Sequence, residues 1–320
     1  MVELHVQPYE WASSDIDNGS QAQIRIWCHD QNSQRVLIRV EDYQPFCRLE
    51  LPSFVNGQYI KWSLDALKVY TAWLRTIMED NRPTRIVYSE LERVYMYRQR
   101  VKSPFLTCYF QSEAGLKHCT QLINKKPYQI NQLGMIKARV WETAITPVHR
   151  MITDIKVGYG QWLRINAQPV DPMDKIARPG SDECIASYKD IFGMTQEETK
   201  GWVTHPLAGA VDIECYSSNP KAMPNKLYVQ DCVFMISYIT QRLGDPSTKK
   251  KYLLVYGDCP DIPGAEVRRF SHEIAMIDGL SDLILETDPS LIVGYNTYKF
   301  DYPFSLHSIS CYPLDFPLST

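Results

Sequence analysis

The chain has no run approaching the roughly 20 apolar residues that a membrane helix needs. Its start, MVELHVQPYEWASSDIDNG, lacks the basic-then-apolar order of a secretory signal. Together these absences exclude a helical membrane span and a secretory leader, and the chain reads as soluble and intracellular with no membrane partner. Charge of one sign is not in excess either: 34 Lys and Arg stand against 37 Asp and Glu, a net of −3. The total therefore gives no electrostatic argument for a polyanionic partner. Paired cysteines are missing, because Cys28, Cys47, Cys108, Cys119, Cys184, Cys215, Cys232, Cys259 and Cys311 are scattered singly. Such a set reads as reduced thiols. The seven histidines are as dispersed, which excludes the short ligand spacing of a structural zinc site. There is no internal repeat and no low-complexity tract.

What is present is a chain of 320 residues, 44% hydrophobic and 22% charged, enough for two ordinary globular domains with cores. Charge divides unevenly along it. Residues 1–203 hold 25 bases against 23 acids, and 204–320 hold 9 against 14, so carboxylate chemistry is expected in the second half. The first half opens with short alternating runs, Gln23 to Cys28, Val36 to Val40 and Cys47 to Leu51, as expected of antiparallel strands. From Ser63, an N-cap, apolar residues recur at Leu64, Leu67, Tyr70, Trp73, Leu74, Ile77 and Met78, the spacing of one helical face. Strands are expected at Arg93 to Val101 and Phe105 to Phe110, and a helix near Ala114 to Ile123. On the first of these strands Arg93, Tyr95 and Tyr97 would share one face, with Arg98 and Arg100 on the other. That pattern suits either a charged, protected edge or a surface that stacks and neutralises single-stranded nucleic acid.

Between Ala167 and Glu198 the stretch QPVDPMDKIARPGSDE reads as a surface loop, and a domain boundary is placed near Trp202 to Pro206. Longer apolar strands follow at Ala208 to Ile213, Leu227 to Ile239 and Tyr252 to Val255. A helix from about His272 to Glu286, capped by Ser271, is expected to bury Ile274, Ile277, Leu280, Ile284 and Leu285. The strand Leu291 to Val293 then enters Gly294, so the half reads as a mixed sheet with a helix packed on it.

Two segments at strand ends carry the chemistry, VDIECYSS at Val211 to Ser218 and GYNTYKFDYPF at Gly294 to Phe304. Asp212 and Glu214, two apart on a strand, project to one face with α-carbons roughly 6–7 Å apart. Val211 and Ile213 point the other way, into a core. An Asp-x-Glu triplet arises about once by chance in a chain of this length, so the strand context and Asp301, about 80 residues on, give it weight. Three carboxylates at neighbouring strand ends suit Mg²⁺ or Mn²⁺ rather than zinc.

These segments resemble the first two exonuclease motifs of family-B DNA polymerases. The triplet at Asp212 to Glu214 matches the first, and Gly294, Tyr295, Asn296, Phe300, Asp301 and Pro303 all match the second. VWETAITPVHRMITDIKVGYGQWLRI and FSHEIAMIDGLSDLILETDPSLIVGYN are similar to the stretches that precede these motifs in the family. The resemblance implies an α+β or α/β architecture: a mixed strand-helix N-terminal domain over 1–203, a partial ribonuclease-H-like 3′-5′ exonuclease domain over 204–304, and an unmatched tail over 305–320. It implies Asp212, Glu214 and Asp301 as catalytic metal ligands and two-metal phosphodiester hydrolysis with Mg²⁺ or Mn²⁺. Asn296 and Phe300 would position a 3′-terminal nucleotide, although core packing suits Phe300 equally; Tyr295 and Pro303 read as structural. The implied partner is DNA, a single-stranded 3′ end here and primer-template in a full-length parent, together with replication accessory proteins.

The sequence also departs from the family. Neither the D-x-x-S-L-Y-P nor the D-T-D segment of the polymerase site occurs, so no nucleotide joining is expected of this chain alone. The third exonuclease motif, Y-x-x-x-D, is absent; Tyr312 precedes Asp315 by three residues and lies too close to Asp301. The tail SLHSISCYPLDFPLST is what a truncated or interrupted reading frame would leave. The expectation is an amino-terminal polymerase fragment with little activity alone, poorly soluble because Val211, Ile213 and Leu291 to Val293 lack cover. The alternatives are a free-standing metal-dependent 3′-5′ exonuclease and a non-catalytic module that binds single-stranded DNA.

Overall fold

Period-two burial sets the first sheet: along β2 (Gln21–Asp30), Ile24, Ile26 and Cys28 are buried while Arg25 and Trp27 are less so. The computed structural model describes residues 1–55, 57–93, 100–228, 230–297 and 299–305. The chain divides into two compact units, Met1–Trp202 and Val203–Thr320.

In the first unit β1 (Val2–Ile16) pairs with β2, and β2 with β3 (Arg35–Val40). Later strands complete that sheet, namely β12 (Leu163–Pro169), β13 (Asp182–Ala186) and β14 (Ile191–Gly193), and β1 also pairs with β12. The helix α3 (Pro147–Ile155) lays Val148 and Met151 into the same core, with Thr146 Oγ1 accepting from His149 N at 3.3 Å as its cap. A second antiparallel sheet has the order β11 (Arg139–Trp141), β4 (Phe46–Glu50), β8 (Lys102–Tyr109), β7 (Arg85–Glu92). Helices α1 (Leu64–Met78) and α2 (Glu113–Lys125) bury Tyr70, Leu74, Cys119 and Ile123 in the core built on this sheet. Ser63 caps α1 as its sequence position predicts, accepting from Ala66 N at 3.3 Å. Two short hairpins, β5 (Phe54–Val55) with β6 (Gln58–Tyr59) and β9 (Tyr128–Ile130) with β10 (Gly134–Ile136), complete the unit.

The second unit is a five-stranded sheet in the order β18 (Glu266–Phe270), β17 (Asp245–Tyr256), β16 (Val233–Arg242), β15 (Leu207–Cys215), β19 (Leu291–Val293). The β15–β16 and β16–β17 pairs are antiparallel; β17–β18 and β15–β19 are parallel. Val211, Ile213, Ile236, Tyr238 and Leu254 form one core with Met276, Ile277 and Leu283 of α4 (Glu273–Thr287). The chain is thus mixed strand and helix throughout, as expected.

Several local expectations are corrected. The strand before β8 is Arg85–Glu92, whose charged ends hid it, and residues 94–99 of the expected Arg93 to Val101 strand lie outside the described residues. The Pro- and Asp-rich loop is followed by β13 and β14 before Glu198. It is pinned by buried Glu183, whose Oε2 accepts from Ile176 N and Ala177 N at 2.8 and 2.7 Å. The strand expected from Leu227 begins at Val233. The cap of α4 is His272 rather than Ser271, since its Nδ1 accepts from Ala275 N at 3.1 Å as a cap hydroxyl would. Leu285 turns to solvent because the helical period sends Met276, Leu283 and Ile284 inward instead. Val211 and Ile213 are covered by the α4-side core, contrary to expectation.

Candidate functional site

On β15 burial alternates as the acid spacing requires: Val211 and Ile213 are buried, and Asp212 and Glu214 are exposed on the opposite face. Among the described residues neither acid has a hydrogen bond or ion pair, so both carboxylates are open to a ligand. The second segment arrives beside the first through the parallel β15–β19 pair, in which Ala210 lies opposite Val293. Gly294 makes that approach possible. A Cβ there would sit 2.7 Å from the Val211 carbonyl oxygen and would collide with the Thr297 methyl.

Beyond Gly294 the chain turns at Asn296, which has φ of +60°. Its carbonyl accepts from Lys299 N and Phe300 N at 3.0 Å each, opening the helical turn that carries Asp301. Asp301 is buried, whereas Asn296 is exposed. Phe300 is half-buried against the α4 core, 5.7 Å from Phe304. Tyr295, read as structural from sequence, is 92% exposed and adds nothing to the core.

Cys215 ends β15 beside this segment. Its thiol is pushed up to about 12, first by burial and then by Glu273, Asp301, Cys232 and Glu214. Asp301 and Glu273 thus lie near enough to Cys215 to act on its thiol, and buried Glu273 is an acid that sequence reasoning missed. Glu273 Oε1 accepts from Val233 N at 2.8 Å and anchors the start of β16; its only sequence signal is an acid in the first turn of a helix. The loop between the two strands is held by Asp231, which accepts from Ser218 Oγ, Ser218 N and Asn225 N at 2.5, 2.7 and 2.8 Å. Those bonds, the Ser218 hydroxyl first, hold its carboxyl below the ordinary range.

Carboxylate oxygens are the donors that hard divalent cations take. Among the described residues, however, no group of three or more His, Cys, Asp or Glu side chains is gathered closely enough to hold an ion. The donor chemistry fits Mg²⁺ or Mn²⁺ and the assembled geometry does not fit a two-ion centre, so no hydrolytic step follows from these residues alone. The second sequence candidate fares differently. Tyr95, Tyr97 and Arg98 lie outside the described residues, and Arg93 Nε is spent on Glu50 Oε1 at 2.6 Å and Ser103 Oγ at 3.0 Å. Among the described residues no helix is long and apolar enough to cross a membrane.

The family described as DNA polymerase family B, exonuclease domain, matches residues 138–318. DNA polymerase 120R of Invertebrate iridescent virus 3 is 28% identical over 311 residues, covering 94% of this chain and 27% of that protein. The DNA polymerase delta catalytic subunit of Schizosaccharomyces pombe is 20% identical over 298 residues, covering 92% of this chain and 26% of that protein. In three dimensions the chain matches the family B DNA polymerase from the hyperthermophilic archaeon Pyrobaculum calidifontis. The TM-score is 0.63 at 17% identity, over 96% of this chain and 32% of that one. The chain spans about a quarter of the length of these curated relatives.

Proposed function

The chain belongs to the exonuclease-domain family of the family-B DNA polymerases, and from that premise we propose that it is the amino-terminal, DNA-end-binding part of such an enzyme. In this reading residues 1–203 are the N-terminal domain, and the unit after it is a ribonuclease-H-like exonuclease domain. Asp212, Glu214 and Asp301 are its catalytic carboxylates, Mg²⁺ or Mn²⁺ is the ion class they take, and Asn296 and the free edge of Phe300 meet the 3′-terminal nucleotide. Primer-template DNA and replication accessory proteins are partners of the full-length enzyme, at the viral or nuclear site of replication.

The observation that supports the reading is the close approach at Gly294, which brings the start of the second motif beside Val211 of the first. Because three acids are not gathered around one point, the chain alone is expected to hold a single-stranded 3′ end and to leave it uncut. The test is incubation of a 3′-labelled single-stranded oligonucleotide with the chain and Mg²⁺ or Mn²⁺, beside Asp212→Ala and a circular-dichroism check of folding. Binding without shortening is the expected result. Shortening that vanishes in Asp212→Ala would show a complete nuclease and overturn the non-cutting reading.

A further inference from the structure

The acid-rich half of the chain gathers four of its nine basic residues, Arg242, Lys249, Lys250 and Lys251, into ten consecutive positions. They lie on the hairpin of β16 and β17, whose turn is Leu243 and Gly244, with Gly244 at φ +83°. The tip is pinned rather than loose. Leu243 N donates to Pro206 O at 3.0 Å, Arg242 Nη1 to His205 O at 3.2 Å, and Arg242 N to Thr248 Oγ1 at 2.9 Å. All three lysines are exposed, and none has an ion-pair partner among the described residues.

Strand register fixes where Lys251 stands. It lies opposite Ile239, Ile239 opposite Ala210, and Ala210 opposite Val293. Directly opposed residues project to the same face, and so do residues two apart on one strand. Ala210 and Asp212 are two apart, so Lys251 shares its face with Asp212 and Glu214, while α4 packs on the other. Two strand spacings and a two-residue rise put the α-carbons of Lys251 and Asp212 about 12 Å apart. That is too far for an ion pair and a distance that a bound single strand covers in a few nucleotides. Between them lie Ile239 of β16 and Ala210 of β15, small or apolar and partly exposed, on which sugars and bases can rest.

We propose that Lys251, reinforced by Lys249 two residues before it on the same strand, is a phosphate clamp that holds the backbone of a single DNA strand a few nucleotides from the 3′ end that reaches Asp212. The proposal rests on the end-binding reading above and adds the direction the strand takes across the sheet. Lys251 is a positioning residue; it does not touch the scissile bond.

The test is fluorescence anisotropy of a 5′-labelled single-stranded oligonucleotide with the full chain, titrated with salt from about 50 to about 200 mM. For single strands each lost phosphate contact lowers the slope of log K against log salt by about 0.7. The expected result is a slope lower by about 0.7 in Lys251→Ala and by about 1.4 when Lys249→Ala is added, with Lys251→Arg restoring the single variant and circular dichroism unchanged. An unchanged slope in the double variant, with the unaltered chain binding normally, overturns the clamp and leaves the end-binding reading standing. Failure of the unaltered chain to bind any single strand overturns both.

Discussion

His29 lies at 1% exposure on β2, its ring stacked 4.6 Å from that of Tyr9. Burial first, and Arg35 second, hold its imidazole down to about 4, against an upward pull from Asp30. The ordinary value is about 6.5, so between about pH 4 and about pH 6.5 the unfolded chain binds this proton and the folded chain does not. Stability therefore rises with pH across that window, is complete above it, and is lost as pH falls toward 4. The size is at most about 3 kcal/mol. The expected outcome is a thermal midpoint that drops between about pH 7 and about pH 4.5, and a shallower drop in His29→Gln. Equal pH profiles for the two proteins would remove His29 as a source of the acid sensitivity.

At the scale of elements, the join of β15 and β19 is the sensitive one. Gly294→Ala sets a methyl 2.7 Å from the Val211 carbonyl, a backbone atom that cannot swing aside. Overpacking of that kind costs about 1–3 kcal/mol. Because the strain falls beside Asp212, the variant is expected to lose affinity for a single-stranded end more steeply than its denaturant midpoint alone accounts for. Equal stability and equal affinity would show that β19 can shift freely. The same stretch shows what is legible in a linear pattern. The period-two acids of β15, the start of α1 at Ser63 and the strand at Leu291 follow from spacing and cap chemistry. Those are local properties, written within a few residues. The strand Arg85–Glu92 was not legible because Ile86, Val87 and Tyr88 run together without a clean period-two alternation and the strand is fixed by pairing with β8. The cap at His272 was missed because an imidazole does a hydroxyl's work there, and Glu273 because its role depends on a strand 40 residues earlier. Phe300 was left open between stacking and packing, and the structure packs it partly buried beside Phe304 in the α4-side core.

For the whole molecule the question is which apolar surface is left without cover. Of the residues expected to be bare, Val211 and Ile213 are not, since Met276, Ile277 and Phe304 share their core. The strand β19 differs. It ends the sheet, pairs with β15 alone among the described strands, and leaves Ile292 and Val293 41% and 50% exposed. Leu285 on α4 is 67% exposed. A short edge of unpaired backbone groups with apolar side chains on it is a template for association, and no lysine or proline on β19 guards it. Concentration-dependent self-association by sedimentation velocity is the expected behaviour. Ile292→Lys with Leu285→Lys is expected to suppress it, because both substitutions place charge where side chains already meet water. Surface changes of this kind shift stability by only about 0.5 kcal/mol, so the thermal midpoint should hold while the soluble concentration rises. A chain that stays monomeric at all concentrations before substitution would show that the edge is too short to recruit a second strand.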